Sequence, residues 1–270
     1  MVQTTAPKVH MGAIAGGEAR ALLAEKPVIL LPMGSHEDQG PHAPMGDYLL
    51  AEAMAERIAL RASERGTRTL VTPVLPFGGA DFFGAMPGGI AISQATLRAV
   101  LADMFGSLLR HGITRLIVIN GHGGNVGPIY DVTSELQRTQ GVTIPSLYLW
   151  RIGYGLLPGI VGADKARQVS SHGADPLTSI ALHLFPERVR ADLMPGPAEP
   201  RTAMGLEMTG WGAAKFEGVE VGMPLEYDAT SPTAVGAGDP RLCSAETGAA
   251  LTEKLTEIGA NFVAHWARQG

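Results

Sequence analysis

The stretch RLIVINGHGGN, residues 115–125, runs from an apolar, β-branched segment straight into a glycine-rich turn. Arg115–Asn120 reads as a short strand with no polar face, the pattern of a strand covered on both sides. Asn120–Asn125 follows at its carboxyl end. Glycines there let the backbone turn sharply and come close to a ligand. His122 then sits at the strand tip. A helix predicted from Asn125 to Gln140 points its free N–H groups at the same place. Taken alone, a plain turn topped by a histidine accounts for these letters as well as a site does.

The same alternation repeats outward from this point. PVILLP (Pro27–Pro32) reads as a buried strand, and Asp47 is a possible cap for a helix over Tyr48–Arg65 that Gly66 stops. Thr67–Pro76 is a further strand. Ser93 caps a helix over Gln94–His111, which Gly112 ends. Thr143–Trp150 is the fourth strand. Strands alternating with helices imply a parallel sheet covered on both faces. Past Trp150 the pattern weakens to a helix near Asp175–Phe185, a Pro/Gly-rich stretch at Met194–Pro200 and turns through Pro240. Ala245–Gln269 closes the chain as an amphipathic helix. The irregular part is too broken for a second domain, so the 270 residues are expected to form one.

Composition narrows the function. Hydrophobic residues make up 45% and charged residues 17%, with 35 glycines, which suits an enzyme with a sizeable core and many tight turns. A net charge of −5 and no basic run argue against nucleic acid. No apolar stretch approaches the roughly 18 residues of a membrane span. The opening MVQTTAPKVH lacks a basic start before an apolar centre, so a cytoplasmic protein is expected. The single cysteine, Cys243, rules out a cysteine-rich zinc site. Any metal must be held by His, Asp and Glu.

Three polar segments fall at strand ends or helix starts, where ligands collect in parallel α/β sheets. GSHEDQGPHAPMGD (Gly34–Asp47) holds His36, Glu37, Asp38, Gln39, His42 and Asp47, broken up by glycines and prolines into a shaped loop. Carboxylates beside imidazoles are what divalent metals of hard or borderline character require. The plainer reading is a helix cap at Asp47 with surface polar groups around it. NGHGGN (Asn120–Asn125) is the second segment. SSHGADPLTS (Ser170–Ser179) is the third, with His172 and Asp175 at a helix start, where Asp175 and Pro176 also read as ordinary helix-initiating residues.

Together these segments resemble the creatininase (creatinine amidohydrolase) family. The first looks like its GSxEQHGPHLPLGTD loop, the second matches its NGHGGN, and the third is similar to its HAGExETS segment. GDPRLCSAETGAALTEKL, near the C-terminus, looks like the family's GDPxxATxExG. The resemblance implies a Rossmann-like three-layer α/β/α sandwich with a mostly parallel sheet, often assembled as a hexamer. It implies two divalent ions (Zn²⁺, Mn²⁺ or Fe²⁺), with Glu37 and His122 on one, Asp47 bridging both and Asp175 where the family often has a ligating Glu; with this sequence's departures from the family pattern, one or two per chain are expected. It makes His172 the proton carrier, beside Glu37 in the catalytic machinery. The sequence departs from the pattern at Gln39 and Phe83, where the family has histidines, and at Leu177, where it has a second Glu; the loop before Asp47 is one residue shorter.

The function expected is metal-dependent hydrolysis of a C–N bond in an amide or cyclic amide of a small polar molecule. Asn120, Asn125 or backbone N–H groups of the glycine turn would hold the developing oxyanion. His42, Gln39, Gly123, Gly124, Asn125 and Trp150 are the expected substrate contacts. Trp150, Tyr154, Trp211 and Phe216 are candidate pocket walls. Two other readings stay open: hydrolytic ring opening, at a C–C or lactone bond, of a sugar- or inositol-derived cyclic ketone, and a non-catalytic binding protein on the same scaffold.

Overall fold

The structure, a computed structural model, describes residues 8–196, 201–210, 212–223 and 231–269. The first half alternates helix and strand: α1 (Gly16–Ala24), β1 (Val28–Met33), α2 (Tyr48–Glu64), β2 (Thr69–Val71), α3 (Gln94–Leu109), β3 (Leu116–Asn120), α4 (Val126–Gln140) and β4 (Ser146–Tyr148). Three helices follow: α5 (Leu149–Val161), α6 (Ala163–Val169) and α7 (Leu177–Leu184). A small antiparallel sheet holds β5 (Thr202–Ala203), β6 (Leu206–Gly210), β7 (Ala213–Phe216) and β8 (Val219–Gly222), and α8 (Ala245–Ala267) ends the fold.

The main sheet runs β2-β1-β3-β4 and every pair in it is parallel. All residues of β1 and β3 are buried. Side chains alternate across a strand, so each strand feeds two layers. Val28, Leu30, Ile117 and Ile119 pack against α2, α5, α7 and α8. Ile29, Leu31, Met33, Leu116 and Val118 pack against α3 and α4, with Leu22 and Leu23 of α1 joining them. The result is helix layer, sheet, helix layer, a three-layer α/β/α sandwich as expected. Each fully buried aliphatic side chain stabilises it by about 1.5–3 kcal/mol.

Local signals act as read at several ends. Ser93 accepts a hydrogen bond from Thr96 N–H at 3.1 Å, and Gly66 and Gly112 follow their helices at φ +90° and +73°. Asp47 is a correction. It stands at the N-cap position of α2 but makes no side-chain cap bond; its carboxylate is turned into the site.

The second half departs further from expectation. β4 is shorter than Thr143–Trp150, and Trp150 belongs to α5. α5 itself contains Gly153, Gly155, Pro158 and Gly159, which read as breakers in the sequence. Burial of Leu149, Trp150, Gly153 and Leu157 overrides those preferences. The four short strands between Thr202 and Gly222 lie where only turns were expected. β7 and β8 join through Glu217 and Gly218, both at positive φ, the geometry of a tight two-residue hairpin. Residues 197–200 of the Pro/Gly-rich stretch lie outside the described residues, as does Trp211. Among the described residues no helix is long and apolar enough to cross a membrane.

Candidate metal centre

β1 and β3 are neighbours in register, with Met33 opposite Asn120. The loops that leave their carboxyl ends therefore meet. From one come Glu37, Gln39 and Asp47, and from the other His122. Donor atoms of Glu37, Asp47 and His122 lie within 4.8 Å of one another, and all three residues are buried.

Hydrogen bonds decide which atoms face inward. His122 Nε2 lies 3.0 Å from the carbonyl oxygen of Gly79, so Nε2 carries hydrogen and donates. Nδ1 is then the atom presented to the carboxylates, 3.1 Å from Asp47 Oδ2 and 3.2 Å from Glu37 Oε1. A second imidazole repeats the device. His172 Nδ1 donates to Ala234 O at 2.6 Å, and Nε2 faces Glu37 Oε1 at 3.2 Å. Two ring nitrogens and two carboxylates thus converge, each able to offer a lone pair. Such a convergence is stable only around protons or a cation.

Charge follows the geometry. Burial raises the Glu37 carboxyl, but the facing His122 and His172 outweigh it and hold it at about 2. Burial pushes Asp47 up to about 6, with Glu37 adding to the rise and His122 and Ser35 N–H opposing it. Burial lowers His122, yet Glu37 and Asp47 overcome this and raise it well above its ordinary 6.5. Without an ion, a proton on His122 Nδ1 joins the two carboxylates.

The donor set fits a divalent ion: two carboxylates and one imidazole with its tautomer fixed by a backbone carbonyl. Glu37 Oε2 is buried without a hydrogen-bond partner, as an atom reserved for a ligand would be. Asp175 does not join the cluster. Its Oδ1 accepts from Ser179 N–H at 3.1 Å, its carboxyl meets Cys243, and burial raises its pKa. It braces the start of α7, apart from the three residues whose donor atoms meet, although its Oδ2 is buried without a partner as Glu37 Oε2 is.

Other expected contacts sort the same way. Asn120 donates to His122 O at 2.8 Å and accepts from His122 N–H at 3.0 Å. Asn125 donates to Gly34 O and Asn120 Oδ1 and accepts from Gly79 N–H at 3.0 Å. Both N–H groups of Asn125 are committed to holding the loops together, and neither amide is among the described residues lining the cavity, so neither is placed to hold an oxyanion. His42 is buried against Thr178 Oγ1 at 3.2 Å and does not line the cavity. Gly124 is a packing residue: a Cβ there would lie 2.2 Å from Gly79 O. Gly123, Gln39 and Trp150 do line the cavity, and Trp150 Nε1 donates to Gly121 O.

The cavity measures about 290 Å³. Glu37, Asp47, His122 and His172 form its polar side; Phe82, Phe83, Tyr148, Trp150, Tyr154 and Leu177 form most of the rest. No Lys or Arg is among its described lining residues. Phe83 stacks on His172 with centroids 4.7 Å apart, and Phe82 lies tilted over His122 at 5.5 Å. Phe216 is no wall; it sits half-exposed on β7. Phe82, Tyr148 and the Gly79 carbonyl were not foreseen. The glycine-rich GGADFFGAMPGG was the available sign that this loop approaches something closely.

The chain resembles known proteins along nearly its whole length. Residues 14–263 match the Creatininase family, described as creatinine amidohydrolase. The mycofactocin precursor peptide peptidase of Mycobacterium ulcerans is 28% identical over 262 residues, 95% of this chain and 92% of the relative. The creatinine amidohydrolase of Pseudomonas putida is 34% identical over 187 residues, 61% of this chain and 67% of that one. A putative creatinine amidohydrolase from Bacteroides fragilis shares the fold at TM-score 0.81 and 24% identity, over 97% of this chain and 98% of that one. By sequence match over nearly its whole length and by fold, the chain belongs to the creatininase family of metal-dependent hydrolases.

Proposed function

We propose that this chain holds one divalent ion, Zn²⁺, Mn²⁺ or Fe²⁺, between Glu37, Asp47 and His122, and hydrolyses a C–N bond of a small amide. The observation that carries the reading is the convergence of two carboxylates and a tautomer-fixed imidazole on the wall of a 290 Å³ cavity. When bound, the ion supplies Lewis acidity, polarising a carbonyl and acidifying a water. Glu37 and Asp47 supply the negative charge that holds it. His172 Nε2 is the atom that takes up and passes on a proton, because Nδ1 is committed to Ala234 O. Glu37 Oε1, 3.2 Å away, shares that proton and keeps the ring aimed. Phe83 covers the imidazole face and keeps water from it.

The aromatic walls alter the expected substrate. Rings of Phe82, Phe83, Tyr148, Trp150 and Tyr154 favour an apolar body beside the scissile amide, in place of the small polar molecule the sequence suggests. The acidic cluster, with no Lys or Arg among the described residues lining the cavity, disfavours a substrate carboxylate at this spot. A homo-oligomer, up to a hexamer, belongs to the same proposal. Incubation of the zinc- or manganese-loaded protein with a panel of aryl and alkyl amides tests it. Release of free amine is expected, falling at least ~100-fold in His172→Ala. Metal-loaded protein that cleaves none of them while opening cyclic ketones or lactones would move the reaction to the ring-opening class.

A further inference from the structure

One residue that lines the cavity carries a buried acceptor that nothing among the described residues satisfies. Gln39 is 1% exposed and lines the cavity. Its Nε2 donates to Glu37 Oε1 at 2.8 Å. That bond fixes the amide, because turning it over would set Oε1 against a carboxylate oxygen, acceptor against acceptor. Oε1 is left buried with no hydrogen-bond partner. A bare buried acceptor is costly, and one in the wall of a binding cavity marks where a ligand's donor belongs.

The neighbours restrict which donor. Glu37 and Asp47 are acceptors, and no Lys or Arg is among the described residues lining the cavity. The polar group that complements this wall is an N–H next to the carbonyl under attack. We infer that Gln39 is a specificity-determining residue: Oε1 accepts a hydrogen bond from the N–H of the scissile amide while Nε2 steadies Glu37. The site thereby selects primary and secondary amides over tertiary amides and esters, which leave Oε1 unpaired. This rests on the amide-hydrolase reading above and gives Gln39 a role apart from ligating the ion.

Matched chelators test it without relying on turnover. Phenylacetohydroxamic acid and its N-methyl derivative bind a metal through the same two oxygens and differ in the N–H. Their affinities for the zinc-loaded protein are measured by calorimetry, with zinc content determined on the same samples. The N–H compound is expected to bind roughly ten-fold more tightly than the N-methyl one. Gln39→Met, which keeps the side chain's length and bulk, is expected to bring the ratio to within about two-fold at unchanged zinc content. A wild-type ratio near unity overturns the inference, even if the variant fails to fold. So does a ratio that persists in Gln39→Met, which would make it a steric effect. Loss of zinc in Gln39→Met would make support of the ion, as a ligand or as the brace on Glu37, the residue's role and overturns the inference. Zinc-loaded protein that binds neither compound contradicts the hydrolase reading itself, and the role of Gln39 falls with it.

Discussion

His122 is held from both sides, by Gly79 O on Nε2 and by Asp47 and Glu37 on Nδ1. An ion must displace the proton that the two carboxylates hold there. Because His122 is raised above 6.5, metal affinity should climb with pH through the neutral range and level off once His122 has lost its proton. Below about pH 6 Asp47 takes a proton too, so the fall toward acid should steepen. Zinc titration by calorimetry in two buffers of different ionisation enthalpy reads both the affinity and the proton released. A pH-independent affinity would contradict this picture of His122. Asp47→Asn removes one charge from the cluster and should weaken zinc binding at least ~10-fold. At this scale residue type and loop position singled out the polar segments, the family resemblance picked Glu37, Asp47 and His122 within them, and the structure brings those three together. Asp175, His42, Asn120 and Asn125 stand outside that cluster. A polar side chain beside a glycine can face the cavity or tie loop to loop, and only the hydrogen bonds, such as Asn125 to Gly34 and Gly79, distinguish the two.

Two glycines of one helix separate propensity from packing. α5 carries Trp150 and Tyr154 to the cavity. A Cβ on Gly153 would lie 2.8 Å from Pro176, whereas one on Gly155 meets nothing within 4 Å. Gly155→Ala should therefore stabilise the protein by about 0.5–1 kcal/mol. Gly153→Ala gains the same propensity but crowds Pro176, a cost of about 1–3 kcal/mol, so its net effect should be destabilising. Urea denaturation of the two variants checks the opposite signs; equal shifts would mean that α5 does not pack on Pro176. The same pair explains why α5 was hard to read. Its glycines look like breakers until their neighbours are known. β1 and β3 were plain because all their residues are buried and all but Asn120 are apolar, and α3 because Ser93 and Gly112 mark its ends. The strands between Thr202 and Gly222 are short and largely exposed, so they carry no continuous apolar face to read.

For the whole molecule, we read the 270 residues as one domain, and its helix layers share the central sheet. Circular dichroism and tryptophan fluorescence should then report one coincident unfolding transition; two separated transitions would indicate a second unit. Metal bound by the native state alone adds about 2.7 kcal/mol of stability at a hundred times its dissociation constant. Chelation should therefore lower the melting temperature, and added Zn²⁺ or Mn²⁺ should restore it. The chain matches its family over residues 14–263, yet Gln39 and Leu177 stand where the resemblance puts a His and a Glu, which makes the ion count the central question. Elemental analysis of the purified protein beside a His122→Ala variant answers it. A single-ion site gives about one equivalent of divalent metal per chain in the wild type and little in the variant. Two equivalents would contradict the single-ion site, and no metal, with none taken up from added Zn²⁺ or Mn²⁺, would contradict the metal centre altogether.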